Sequence, residues 1–300
     1  MTRRMFFALS AAGLARATAR GMQLHLSCGA LGIKATLRQA VDLAAQHHFE
    51  VIDADGNYLA NLSDTELHDL LGYMESKKVG WAMAGLPVEF RRDDDAYSAG
   101  MAKFPAYAKA LRRAGVNKVT TWLTPGSNER PYLSNFKLHQ ARLGGIAGVL
   151  NDAGIRFGME YVGPQTSWIK QRYPFIHTMG EMRELIAAIN LPNVGLVLDS
   201  WHWYHAGDTA KDVEALAARD VVSVDLNDAP TGVPKEQMSD GKRELPAATG
   251  VIDVKAFLGA LEKIHYDGPV RAEPFNDAVR RMAPDEAAAA TRAALKEAGL

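Results

Sequence analysis

Residues 194–230 read Val-Gly-Leu-Val-Leu-Asp199-Ser-Trp201-His202-Trp203-Tyr-His-Ala-Gly-Asp-Thr-Ala-Lys-Asp-Val-Glu-Ala-Leu-Ala-Ala-Arg-Asp-Val221-Val-Ser-Val-Asp225-Leu-Asn227-Asp228-Ala-Pro230. An apolar run ends in a carboxylate, a stretch of helical composition follows, and a second apolar run carries another carboxylate. The pattern is strand, helix, strand. Outward from it the same alternation fills the chain. Strands are predicted at 22–28, 49–54, 79–86, 118–123, 156–162, 194–199, 221–226 and 269–273. Helices are predicted at 36–48, 63–77, 95–114, 134–153, 180–189, 209–218, 254–265 and 284–298. The first helix has its apolar stripe at Leu37, Val41, Ala44 and Ala45, and Ser63 with Glu66 spells a capping box for the second.

Eight strand–helix units fit either a closed barrel or a doubly wound sheet. No strand is followed by Gly-x-Gly-x-x-Gly or by a phosphate-binding Gly-Lys-Ser/Thr loop, which weakens the open sheet. The expectation is an α/β protein, a (β/α)8 TIM barrel in a single domain covering 22–300. Three hundred residues with 47% hydrophobic and 23% charged positions supply such a core. The formal net charge of −1 gives no electrostatic reason for binding nucleic acid or an anionic membrane. Cys28 is the single cysteine, so an internal disulfide and a cysteine-rich zinc site are excluded.

Residues 1–21 differ from the rest. Arg3 and Arg4 precede an apolar stretch and then small residues around Ala17 and Ala19, the layout of an export signal. Thr2-Arg3-Arg4-Met5-Phe6-Phe7 resembles a twin-arginine signal, which implies a periplasmic or secreted protein. The alternative is an N-terminal extension on a cytoplasmic protein, with Met22 as the true start; Arg16 late in the apolar stretch counts against export.

In a barrel of this kind the chemistry sits at the C-terminal ends of the strands. Strands five to eight bring Glu160, Asp199, Asp225 and Glu273 to that rim. A single strand-end acid is more often a helix cap or an arginine partner. Four on successive strands would repel one another and raise each other's pKa values unless a cation sits among them. Oxygen donors suit Mn²⁺ or Mg²⁺, with Zn²⁺ or Co²⁺ compatible.

The same residues carry a resemblance. Gly158-Met-Glu160, Asp199-Ser-Trp-His202, Asp225-Leu-Asn-Asp228-Ala-Pro, Arg243-Glu-Leu-Pro, Thr249-Gly-Val-Ile-Asp253 and Tyr266-Asp-Gly-Pro-Val-Arg-Ala-Glu273-Pro-Phe together resemble the sugar isomerase/epimerase superfamily of xylose isomerase-like barrels. That group includes ketose 3-epimerases, inosose dehydratases, hydroxypyruvate isomerases and abasic-site endonucleases. The resemblance implies Glu160, Asp199 and Glu273 as metal ligands, and Glu160 and Glu273 as the acid–base pair exchanging a proton at the reacting carbon. It implies His202 and Arg243 as contacts to substrate oxygens. The family usually places a ligating histidine where this chain has Asp225, which leaves aspartate as a substitute ligand or as a withdrawn one.

The function expected is a metal-dependent isomerase or epimerase of a small sugar or polyol, acting through an enediolate. A dehydratase or lyase on a keto-sugar or keto-inositol shares that intermediate. An abasic-site endonuclease would call for a basic face and a histidine-rich zinc cluster; a non-catalytic sugar-binding protein has little use for paired glutamates. Trp201 and Trp203 are divided between stacking on a sugar and packing under loops. His177 and His205 are expected to be structural. The long 229–248 loop carries Arg243 and is expected to close over substrate. A homo-oligomer is compatible with a barrel of this size.

Overall fold

A computed structural model describes residues 21–300. The segment read as an export signal or extension lies, apart from Gly21, outside the described residues. Eight strands form the barrel: β1 Gln23–Leu26, β2 Val51–Ala54, β3 Gly80–Gly85, β4 Lys118–Trp122, β5 Arg156–Glu160, β6 Val194–Asp199, β7 Val221–Leu226 and β8 Pro269–Ala272. All neighbours run parallel, and β8 closes on β1 through Gln23↔Pro269 and Leu24↔Val270. β6 and β7 are buried at every position, as strands must be when side chains fill the barrel inside and helices cover it outside. Val197↔Ser223, Leu198↔Val224 and Asp199↔Asp225 fix the register that sets two carboxylates side by side.

Local chemistry explains the outer layer. The helices Leu37–Gln46 and Asp64–Lys77 each start on a reciprocal capping box, Thr36 with Gln39 and Ser63 with Glu66. Asp93 caps Asp94–Arg113 by accepting from the Ala96 backbone N–H. The apolar faces of these helices join the strands in one main cluster, from Leu26 and Val41 through Phe157 to Leu295. Among the described residues no helix is long and apolar enough to cross a membrane.

The structure departs from the predicted elements mainly just beyond the strand ends. Ser27 caps a turn of helix at Cys28–Leu31, Asp55 caps Gly56–Ala60, and Asp199 caps Ser200–Ala206. Pieces this short show no 3.6-residue periodicity to detect. The helix predicted at 209–218 contracts to Ala210–Glu214. A two-residue antiparallel ladder, Gly126↔Pro174 and Ser127↔Tyr173, ties the loop after β4 to the loop after β5.

Candidate active site

β5 and β6 end in Glu160 and Asp199, β7 carries Asp225 one residue from its end, and Glu273 directly follows β8. One oxygen from each of Glu160, Asp199, Asp225 and Glu273 lies within 4.8 Å of every other. Asp199 and Asp225 are fully buried and Glu273 nearly so. Asp199 is both a cap and a member of the cluster: Oδ1 accepts from Trp201 N at 2.8 Å and from Asn227 Nδ2 at 2.7 Å.

Two guanidiniums are threaded among these acids. Arg243 Nη1 donates to Asp199 Oδ2 at 2.7 Å and to Glu273 Oε2 at 3.1 Å. Arg271 grips Asp225 with two parallel bonds, Nε to Oδ1 at 2.8 Å and Nη2 to Oδ2 at 2.7 Å, and Nη2 also reaches Glu273 Oε1 at 2.8 Å. Such a fork is the strongest and most directional form of ion pair. Asp225 therefore stands within the cluster while both its oxygens face Arg271.

Glu160 is treated differently. Its Oε1 is buried without a hydrogen-bond partner, and the nearest cation-capable group is His202 Nε2 at 3.7 Å. Burial, then the charges of Glu273, Asp199 and Asp225, push its pKa well above the usual carboxylate range. Burial, only partly offset by Arg271 and Arg243, raises Glu273 to about 7. Asp199 is raised by burial as well, against the pull of Arg243.

His202 is neutral at physiological pH, its pKa driven down to about 3 by burial and then by Arg243. Gly163 N donates to His202 Nδ1 at 3.3 Å, and Nε2 lies 3.7 Å from both Glu160 Oε1 and Asp199 Oδ2 and 3.5 Å from Arg243 Nη2. This approach requires glycine: a Cβ on Gly163 would sit 2.5 Å from the His202 carbonyl oxygen.

Arg243 is delivered by the long loop after β7, and Asp228 shapes that loop. The Asp228 carboxylate accepts from the backbone N–H groups of Ala229 and Ile252 on Oδ1 and of Thr249 and Gly250 on Oδ2, at 2.7–2.9 Å. An isolated bridge between Asp228 and Glu244 brings the returning chain back to the barrel. Arg243 is then held by the Asp240 carbonyl and carboxylate, both at 2.9 Å, and is 2% exposed.

Glu160 and Glu273 face a cavity of about 420 Å³ lined also by His202, Arg243, Trp122 and Phe275, among others. Of the two roles left open for Trp201 and Trp203, the surroundings of both rings favour packing. Trp203 packs against Phe257 in the core, with ring centroids 5.3 Å apart, and Trp201 is fully buried beneath Arg243. Both are packing residues, because the helix Ser200–Ala206 turns back onto the barrel and buries the faces they occupy. Trp122 and Phe275 take the rim instead. Phe275 adopts φ +39°, a conformation rare for a bulky residue, and lays its ring 4.5 Å from the Arg243 guanidinium. The His177 ring lies tilted against Trp168 and the His205 ring tilted against Trp201, each with centroids 4.5 Å apart.

Sequence reasoning missed Arg271, Trp122 and Phe275. Arg271 had a signal, since an arginine in the middle of a barrel strand needs a buried acid, and its register partner is Asp225. Trp122 ends β4, the strand whose mouth supplied no acid to draw attention.

The donor set fits a divalent cation. Four carboxyl groups meet two guanidiniums, an excess of two that a divalent cation would balance when all are ionised, and Glu160 Oε1 is a buried oxygen with no partner. Glu160, Asp199 and Glu273 would hold such an ion, with Asp225 beside them.

A parallel barrel with an acidic rim on its last four strands defines a class of TIM-barrel proteins. Within it, the chain belongs to the xylose isomerase-like TIM barrel family, which it matches over residues 41–298. An inosose isomerase from Bacillus velezensis is 24% identical over 256 residues, covering 83% of this chain and 87% of that protein. A xylose isomerase domain protein from Alicyclobacillus acidocaldarius superimposes with a TM-score of 0.80 at 29% identity, covering 93% of this chain and 97% of the other. The IOLI protein, solved with a bound zinc atom, gives a TM-score of 0.77 at 21% identity, covering 92% and 98%.

Proposed function

We propose that this protein is a divalent-metal-dependent isomerase or epimerase of a sugar or cyclic polyol, with Glu160 and Glu273 as its acid–base pair. The observation that carries the reading is the state of those two glutamates. Both face one cavity, both have pKa values raised by burial, and Glu160 Oε1 has no protein partner. A carboxyl tuned toward neutrality can remove a proton and return it at physiological pH. The inosose isomerase relative supports a ketone flanked by hydroxyls as the substrate class.

The bound cation would supply polarisation of a carbonyl and neighbouring hydroxyl, acidifying the C–H between the two glutamates. The chain's own residues do the rest. Glu160 takes the proton on its free Oε1, and Glu273 receives or returns one from the other side of the cavity. Arg243 donates toward oxygens that become negative as the enediolate forms, with His202 beside it on the cavity wall. Trp122 and Phe275 cover the mouth with apolar surface and reduce access of water.

Incubation of the metal-loaded protein with candidate ketoses and keto-polyols in D₂O is expected to place deuterium at the carbon next to the carbonyl. Glu160→Gln is expected to slow that exchange by about 10²–10⁴. An unsaturated product absorbing in the ultraviolet would replace this reading with a lyase on the same site. Elemental analysis of Glu160→Gln and Asp199→Asn checks the ligands: full metal stoichiometry in both variants would remove them from the coordination set.

A further inference from the structure

The rim formed by β1, β2 and β8 holds polar groups that the acid–base chemistry leaves unused. Arg271 commits Nε and Nη2 to Asp225 and Glu273, while Nη1 meets only the Ser27 hydroxyl, at 3.4 Å. Ser27 in turn donates to Asp53 Oδ2 at 2.6 Å. The buried His25 ring lies 3.0 Å from Asp53 Oδ1, yet the Asp53 side chain is 39% exposed. A buried partner below and solvent above is the posture of a carboxylate presented to something at the barrel mouth. Burial opposes its ionisation, but His25, Arg271 and Ser27 outweigh it and hold its pKa at about 2.

These groups line a cavity of about 360 Å³ whose walls include Ser27, Asp53, Thr120, Arg271, Glu273 and Phe275. Glu273 and Phe275 also line the cavity of Glu160 and Arg243. The two spaces therefore adjoin, with the proposed acid–base glutamate between them.

We propose that Ser27, Asp53 and Arg271 form a second recognition subsite, which binds hydroxyls of the substrate on the far side of Glu273 from Glu160. This rests on the polyol isomerase reading above and deepens it. Arg271 Nη1 can donate, while Asp53 and the Ser27 oxygen, whose one proton is on Asp53, can accept, so the subsite matches groups that do both. An anionic terminus is disfavoured, because Asp53, Asp225 and Glu273 outnumber the one guanidinium. The substrate is thus a polyhydroxylated ring or chain long enough to straddle Glu273, and a short ketose would leave the subsite empty. Asp225 acts here as a positioning residue: by taking both ends of the Arg271 fork it aims Nη1 at the cavity.

The test is calorimetric titration of the Mn²⁺-loaded protein with myo-inositol, which can span both cavities, and with dihydroxyacetone, which cannot. Ser27→Ala is expected to weaken myo-inositol binding by about tenfold relative to its effect on dihydroxyacetone, as expected when a hydrogen-bonded polar group is removed. Asp53→Asn is expected to do the same. Ser27→Ala guards against a folding defect from disturbing the His25–Asp53 pair. Equal losses on the two probes, no loss on either, or wild-type protein that does not bind myo-inositol would overturn the subsite. Failure of the acid–base reading looks different: no deuterium exchange with any ketose, with myo-inositol binding and its dependence on Ser27 intact.

Discussion

The two halves of the barrel satisfy their buried polar groups in opposite ways. Beside β3 and β4, Arg142 is nearly inaccessible and donates to the carbonyl oxygens of Phe90 and Arg92 and to the exposed carboxylate of Asp94, while His139 Nδ1 lies 2.9 Å from the Asn135 carbonyl. These side chains tie helices to loops through the backbone. At the mouths of β5 to β8 the buried cations instead meet carboxylates that are themselves buried, Arg243 on Asp199 and Glu273, and Arg271 on Asp225 and Glu273. Backbone carbonyls are fixed dipoles that hold a scaffold. Carboxylates can change protonation and ligation, and here one of them, Glu160, is left with an unpartnered oxygen. The difference separates scaffold from chemistry. The His25–Asp53 pair is the place where the first half behaves like the second, and it adjoins the same cavity wall.

The comparison is broken most severely at Arg243. In metal-free protein at pH 8, Arg243→Met leaves the buried Asp199 without its guanidinium partner and Glu273 with Arg271 alone. Removing one partner of a buried ion pair costs about 3–5 kcal/mol. Thermal unfolding in the presence of a chelator is expected to fall accordingly, and saturating Mn²⁺ is expected to recover part of the loss. Equal stability of variant and wild type in chelator would mean that the acids are not held ionised by this arginine.

On the scaffold side the sharper probe is pH. Burial pushes His139 down to about 4, between Phe90 and Phe175. Above its unfolded value near 6.5 both states are neutral and its contribution is complete. As pH falls from about 6.5 to about 4 the unfolded chain takes up a proton that the folded one refuses, and up to about 3 kcal/mol of stability is lost. His139→Phe is expected to flatten that part of the stability–pH curve, read from urea midpoints. An unchanged slope would assign the acid sensitivity elsewhere.

Asp228 joins the halves of this contrast, since it is a carboxylate in the chemical half used purely as scaffold. Asp228→Asn turns an N–H donor toward backbone donors and is expected to cost about 2 kcal/mol. It should also accelerate amide hydrogen exchange over 229–252, the loop that carries Arg243. Exchange confined to other segments would show that the loop is held by something else.

Much of the β5–β8 half was legible in the sequence and much of the β1–β4 half was not, for a physical reason. Each strand of the second half delivers a carboxylate at or next to its end, a residue type that cannot be buried without explanation, so Glu160, Asp199, Asp225 and Glu273 identified themselves. The alternation of apolar runs and helical stripes likewise showed the barrel, because every unit repeats it. In contrast, Ser27 and Trp122 are ordinary residues at strand ends, and only three-dimensional closure brings β1 beside β8. Trp201 and Trp203 stayed divided between site and packing because proximity to His202 in the chain says nothing about which way a seven-residue helix faces. Arg271 fell between the two cases: its partner Asp225 was visible, but the pairing depends on the β7–β8 register.

The smallest expected effect tests the least conspicuous wall of the site. Trp122 is 49% exposed, and the Arg91 guanidinium lies 4.4 Å from its ring centroid. The same Arg91 donates to Thr121 Oγ1 at 3.0 Å and to the Trp122 carbonyl, so the indole is braced from the outer side. A large, half-exposed aromatic held in this way contributes to a bound polyol through apolar contact with its C–H face. Trp122→Ala is therefore expected to weaken myo-inositol binding by about fivefold, near 1 kcal/mol, while leaving the unfolding midpoint almost unchanged. Arg91→Ala should give a fraction of that loss, since the ring remains but is no longer braced. A stability loss with unaltered affinity would move Trp122 to the scaffold side of the comparison, beside Arg142 and His139.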